Sequence, residues 1–150
     1  MKVLIDTNVL ISAILSNRST PLISAILSNR STPYKAFVKA VTYPNHGMIC
    51  EQNIDEMRRI FNRKFPTKVS ALEMFLSLAL TTLEVVPIPI IEYDIEGKVR
   101  DSKDRPILRA AINAGADILL TGDKGFLESG IEDHPRVMTA SEFVEMHGDK

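Results

Sequence analysis

Four carboxylates spread along the chain, Asp6, Glu56, Asp104 and Asp123, form its candidate reactive set. Asp6 directly follows Val3-Leu4-Ile5, and Asp123 follows Leu119-Leu120 across a Thr-Gly pair. Each of those apolar runs reads as a buried parallel strand. Ligands of open α/β sheets bind beyond the carboxyl ends of the strands. Acids gathered there repel one another unless a cation lies between them. Hard divalent cations take oxygen ligands, so the set reads as a Mg²⁺ or Mn²⁺ site.

Taken singly, each acid has a plainer reading. Asp6 could cap the next helix, and Asp104 could be an acid at a helix start. Asp123 could be a turn residue in Thr-Gly-Asp-Lys-Gly. Glu56 competes with Glu51 and Asp55, since most helical glutamates are solvated. The joint pattern favours a site, because three strand ends each deliver a carboxylate to one edge.

Strands and helices alternate along the chain that carries these acids. Strands are expected at Lys2–Ile5, Gly47–Cys50, Glu84–Ile88, Asp117–Leu120 and Arg136–Thr139. Helices are expected from about Val9, over 34–42, Asn53–Lys64, Val69–Leu80, Pro106–Ala114 and Ser141–Met146, the last capped by Ser141. A short helix around Phe126-Leu127 follows Asp123. Ile91–Gly97 reads as a linker of mixed charge. This alternation implies a parallel sheet covered on both faces.

Residues 10–21 and 22–33 both read LISAILSNRSTP. Two copies are too few for a repeat architecture. They read as a recent or engineered duplication. Each copy ends Ser-Thr-Pro, a hydroxyl cap followed by proline at the first helical position. Thr32-Pro33 is therefore expected to start the helix over 34–42. Continuous helix through Pro21 is disfavoured. On the favoured reading the first copy keeps the helix after Asp6 and 22–33 forms an extra helical excursion. The converse assignment stays open. Either way the apolar residues of one copy need cover, which favours self-association.

The chain has 150 residues, which suits one domain, with 18 basic and 19 acidic residues and a net charge of −1. Global charge therefore does not announce a nucleic-acid partner, which would need a local basic patch. The single cysteine, Cys50, allows no intrachain disulfide and suits a reducing cytosol. Asp6 interrupts the first apolar run, so no signal peptide is read. No run approaches the roughly 18 apolar residues that span a bilayer.

His46, His134 and His147 are scattered, and Cys50 is expected to pack at a strand end. No G-x-G-x-x-G or P-loop pattern occurs. Asp6-Thr7-Asn8 is not the Asp-x-Asp of haloacid-type phosphatases. Arg58, Arg59, Arg63, Lys64 and Lys68 read equally as an RNA-facing strip or a solvated helix face. Lys103, Arg105 and Arg109 flank Asp104, where guidance of a phosphate is more plausible. Lys124 adjoins Asp123 and reads as a solvated loop residue or a phosphate contact.

Several segments carry a family resemblance. VLIDTNVLISA (3–13), the helix bearing Glu56, DSKDRPILRAA (101–111) and ADILLTGDKGFL (116–127) together resemble the PIN-domain family. More narrowly they resemble the VapC-like toxins of toxin–antitoxin pairs. The resemblance spans nearly the whole chain apart from the extra copy. It implies a three-layer α/β/α sandwich with an about five-stranded, mostly parallel sheet. It further implies a Mg²⁺- or Mn²⁺-dependent ribonuclease whose catalytic and metal-holding acids fall on Asp6, Glu56, Asp104 and Asp123. Asp101 would assist or replace Asp104, and Asn8 and Thr121 would orient the carboxylates. Lys103, Arg105 and Lys124 are the RNA contacts expected. The implied chemistry is metal-assisted phosphodiester hydrolysis, in which the cation activates water and offsets charge on phosphate. A cognate antitoxin, a homodimer and a cytoplasmic location are expected as well. A catalytically silent RNA-binding or protein-interaction module is the alternative, as is a duplication variant of a nuclease parent.

Overall fold

The computed structural model describes residues 1–16 and 31–146. Its strands are β1 (Lys2–Ile5), β2 (His46–Cys50), β3 (Glu84–Val86), β4 (Ile118–Leu120) and β5 (Arg136–Met138). All pair in parallel in the order β3-β2-β1-β4-β5, with Leu4 opposite Met48 on one side and Leu119 on the other. The helices are α1 (Thr7–Ser16), α2 (Thr32–Val41), α3 (Glu51–Lys64), α4 (Val69–Ala79), α5 (Arg105–Asn113), α6 (Lys124–Leu127) and α7 (Ala140–Met146).

Alternation along each strand sends side chains to opposite faces. Val3, Ile5, Ile49, Ile118 and Leu120 pack with buried residues of α1, α2, α3, α4 and α7. Leu4, Met48, Cys50, Val86 and Leu119 pack with α5 and with Phe126 of α6. The result is the expected α/β/α sandwich. It explains why the strands read as unbroken apolar runs rather than alternating ones. Among the described residues, no helix is long and apolar enough to cross a membrane.

Three local expectations change. The cap of α2 is Ser31, whose Oγ accepts from Tyr34 N at 3.2 Å, so Thr32 lies inside the first turn with Pro33. The cap of the last helix is Thr139 rather than Ser141. Thr139 Oγ1 accepts from Glu142 N at 3.0 Å, and Glu142 Oε1 accepts from Thr139 N at 2.8 Å. This reciprocal pair satisfies donors that Ser141 could not reach. The supposed linker contains a 3₁₀ turn over Asp94–Lys98. Residues 10–16 of the first repeat copy lie in α1. The extra helix expected between Pro21 and Asn29 lies outside the described residues.

Gly47 shows how closely α2 approaches the sheet. A Cβ there would meet Val41 Cγ1 at 2.9 Å, Leu83 Cδ2 at 3.0 Å and the Ala40 carbonyl oxygen at 3.3 Å. Gly47→Ala is expected to lower stability by about 1–3 kcal/mol through this overpacking. A urea unfolding midpoint equal to that of the parent would show that Val41 and Leu83 give way instead.

Candidate active site

All four predicted acids line one open cavity of about 590 Å³, together with Asp101. Their elements explain the convergence. Asp6 leaves the end of β1, the central strand. Glu56 projects from α3, which continues directly from β2. Asp104 immediately precedes α5, and Asp123 caps α6 just beyond β4.

Asp6 is only 7% exposed and accepts four hydrogen bonds. Its Oδ1 takes Thr7 N at 2.8 Å and Asn53 Nδ2 at 3.2 Å. Its Oδ2 takes Thr121 Oγ1 at 2.8 Å and Asn8 Nδ2 at 3.3 Å. Burial pushes its carboxyl above the ordinary range, and the charge on Glu56 adds to this; the bonds from Thr121, Thr7 and Asn53 oppose it. Asn8 also accepts from Gly122 N at 2.9 Å, which ties the loop before Asp123 to the one after Asp6. Thr121 accepts from Asp123 N at 3.0 Å while donating to Asp6.

Asp104 and Asp123 form the second half of the site. A Cβ on Gly125 would lie 3.4 Å from Asp123 Oδ2 and 3.6 Å from Asp104 Oδ2, so both oxygens flank one small gap. The Asp104 carboxyl is pushed up to about 7, first by burial, then by its hydrogen bond with Asp123 and the charges of Asp123, Asp101 and Asp6. Glu56 Oε1 accepts from Thr7 Oγ1 at 2.7 Å.

The donor set is all oxygen, as a hard divalent cation requires. Among the described residues, no three acids converge on one point at ligand distance. Mg²⁺ typically keeps several waters and needs only one or two carboxylates, so the set fits such an ion without a closed protein cage.

The expected basic contacts divide. Lys103 lines the cavity, as does Arg59. Arg105 donates from Nε to the Val99 carbonyl at 2.8 Å, and neither it nor Lys124 lines the cavity. Arg58 is paired with Glu73 at 3.0 Å on the exposed surface. Arg109 does not guide phosphate. Its Nε and Nη2 hold Glu96 at 3.0 and 2.9 Å, and Nη1 donates to the Pro89 carbonyl at 3.1 Å. Glu96, 2% exposed, also accepts from Tyr93 N at 2.7 Å, so the pair fastens the segment after β3 to α5. Glu96→Ala strands the guanidinium, and a lower Tm by calorimetry is the expected outcome.

Asn53 and Thr7 were not singled out in the sequence. The buried stripe of α3 is Asn53, Met57 and Phe61. An asparagine on an apolar stripe, one turn before Glu56, was the available signal. His46 lies at the amino end of β2, paired with Glu84 at 2.6 Å, away from the acids at the carboxyl ends. Cys50 is fully buried at a strand end, and burial pushes its thiol up.

The molecule is thus an α/β/α domain with an acid-lined cleft beyond its parallel strands. The chain belongs to the PIN domain family, whose model matches residues 2–125, a span that includes all four acids. Two solved structures are similar in fold. One is VapBC2 of Rickettsia felis bound to a DNA fragment from its promoter, with TM-score 0.62 and 16% identity, covering 93% of this chain and 98% of that one. The other is Mycobacterium tuberculosis VapC20, a sarcin-ricin loop cleaving toxin, with TM-score 0.54 and 16% identity, covering 87% of this chain and 96% of that one. No curated protein sequence matches the chain significantly.

Proposed function

We propose that this protein is a Mg²⁺- or Mn²⁺-dependent endoribonuclease that hydrolyses RNA phosphodiester bonds as the toxin of a toxin–antitoxin pair. The observation that carries the reading is the gathering of Asp6, Glu56, Asp104 and Asp123 about one cavity, at a cost in mutual repulsion. Folding alone gains nothing from a carboxyl pushed up to about 7 by burial first and by its acidic neighbours second. A divalent cation, when bound, offsets that charge and lowers the pKa of an attacking water.

Within this reading the four acids hold the cation, and Asn8, Thr121 and the Thr7 amide fix Asp6 for that role. Asp101 sits on the cavity wall as a helper to Asp104. Lys103 and Arg59 are the cations placed to meet phosphate. Membership of the PIN family and the folds of the two VapC-type neighbours support a toxin assignment. A protein antitoxin, a homodimeric state and a cytoplasmic location go with it.

The test is cleavage of a pool of single-stranded and structured RNAs with Mn²⁺ or Mg²⁺, set against EDTA. Cutting that requires the metal supports the nuclease. Tight Mn²⁺ binding with no cutting of any RNA would instead favour a catalytically silent RNA-binding or protein-interaction module.

A further inference from the structure

Asn53 is fully buried on a helix stripe that is otherwise apolar. Its amide nitrogen donates to Asp6 Oδ1 at 3.2 Å and to Thr7 Oγ1. Both amide protons are thereby used. Its Oδ1 has no hydrogen-bond partner among the described residues. A buried acceptor left unpaired is unfavourable. Turning the amide over offers no relief, because its oxygen would then face Asp6 Oδ1, which already accepts from Thr7 N. Asn53 therefore presents its donor end to the acids while its acceptor goes unsatisfied.

The consequence passes through Thr7. A hydroxyl has a single proton. Since Thr7 Oγ1 accepts from Asn53, its proton is directed to Glu56 Oε1, 2.7 Å away. The backbone N–H of Thr7 meanwhile donates to Asp6 Oδ1 at 2.8 Å. Asp6 belongs to the end of β1 and Glu56 to α3, so nothing local sets their spacing. Asn53 and Thr7 form the bridge between them.

We propose that Asn53 is a positioning residue of the acid site, holding Asp6 directly and Glu56 through Thr7 so that both carboxylates meet one divalent cation. This rests on the metal-dependent reading above. Groups that orient metal ligands typically change affinity or activity by roughly 10–100-fold when removed.

Asn53→Leu separates positioning from folding, because it removes the two donors and the unsatisfied acceptor together at similar volume. The readouts are Mn²⁺ affinity by calorimetry on the full chain without RNA, Tm, and kcat and KM for RNA cleavage. The expected result is a Tm close to that of the parent, Mn²⁺ binding weakened about 10–100-fold, kcat lowered to match and KM for RNA unchanged. Thr7→Val should show a smaller loss, since the bond from Asn53 to Asp6 survives. The double variant should lose less than the product of the two single losses, as residues acting in series do. Should Asn53→Leu not fold, Asn53→Ala carries the same comparison. Mn²⁺ affinity and kcat within twofold of the parent would overturn the proposal and leave the nuclease reading standing, whatever the Tm. A parent chain that neither binds Mn²⁺ nor cuts RNA overturns both.

Discussion

Asp6→Asn is expected to abolish RNA cleavage while leaving the fold intact. Asp6 sits at the end of the central strand and takes hydrogen bonds from Thr7, Asn53, Thr121 and Asn8. An asparagine keeps one oxygen, which can still serve Thr7 N and Asn53 Nδ2. The Thr121 hydroxyl can rotate to accept from the new amide, so that of the four bonds only the longest, from Asn8 Nδ2 at 3.3 Å, is lost. The substitution also removes a buried charge that burial disfavours. Stability should therefore change little. Ligand charge, by contrast, is lost outright, and the effect should exceed the roughly 10–100-fold typical of a supporting group. Cleavage of the RNA pool, read beside circular dichroism of the variant, checks both halves. Full activity in Asp6→Asn would refute the acid-site mechanism.

Much of this site was legible because strand ends are legible. Short apolar runs ending at Asp6 and shortly before Asp123 announce buried parallel strands, and a parallel sheet collects its carboxyl ends on one edge. Asp104 was visible as an acid beside a proline-led helix start. The PIN-like pattern joined Glu56 to them, which its own helix could not do against Glu51 and Asp55.

What stayed hidden depended on contacts across the chain. Arg109 near Asp104 reads as a phosphate guide until Glu96 takes its guanidinium, a pairing no local pattern encodes. Arg58 and Arg59 are neighbours in sequence, yet the helix turns one toward Glu73 and the other into the cavity. Asn53 carries no local sign of its partners, Asp6 and Thr7, because they lie far away in sequence. The caps failed more narrowly. Ser31-Thr32 and Thr139-Ala140-Ser141 each offer two hydroxyls, and only backbone geometry chooses between them.

The protein without divalent cation is expected to lose stability as pH rises from about 4 to about 7. An unfolded aspartate titrates near 3.9, whereas the Asp104 carboxyl in the folded chain is pushed up to about 7. Between those values the folded state binds the extra proton, so stability falls with rising pH and the loss is complete above the folded value. Asp6, also raised, contributes in the same direction. Glu96 and Glu73 are held low by Arg109 and Arg58, so their contributions are lost only at more acid pH and do not enter this window. Divalent cations need the ionised carboxylates, which reverses the trend. At a hundredfold excess over its Kd, a cation that binds only the folded chain adds about 2.7 kcal/mol. For a domain of this size that is a rise in Tm on the order of 5–10 °C, expected at pH 8 and much smaller at pH 5. Asp104→Asn should flatten the metal-free pH profile and remove most of the rise. Calorimetry at both pH values, with EDTA or with Mn²⁺, decides the matter. An equal rise at pH 5 and pH 8 would mean that the cation binds somewhere other than the Asp104–Asp123 pair.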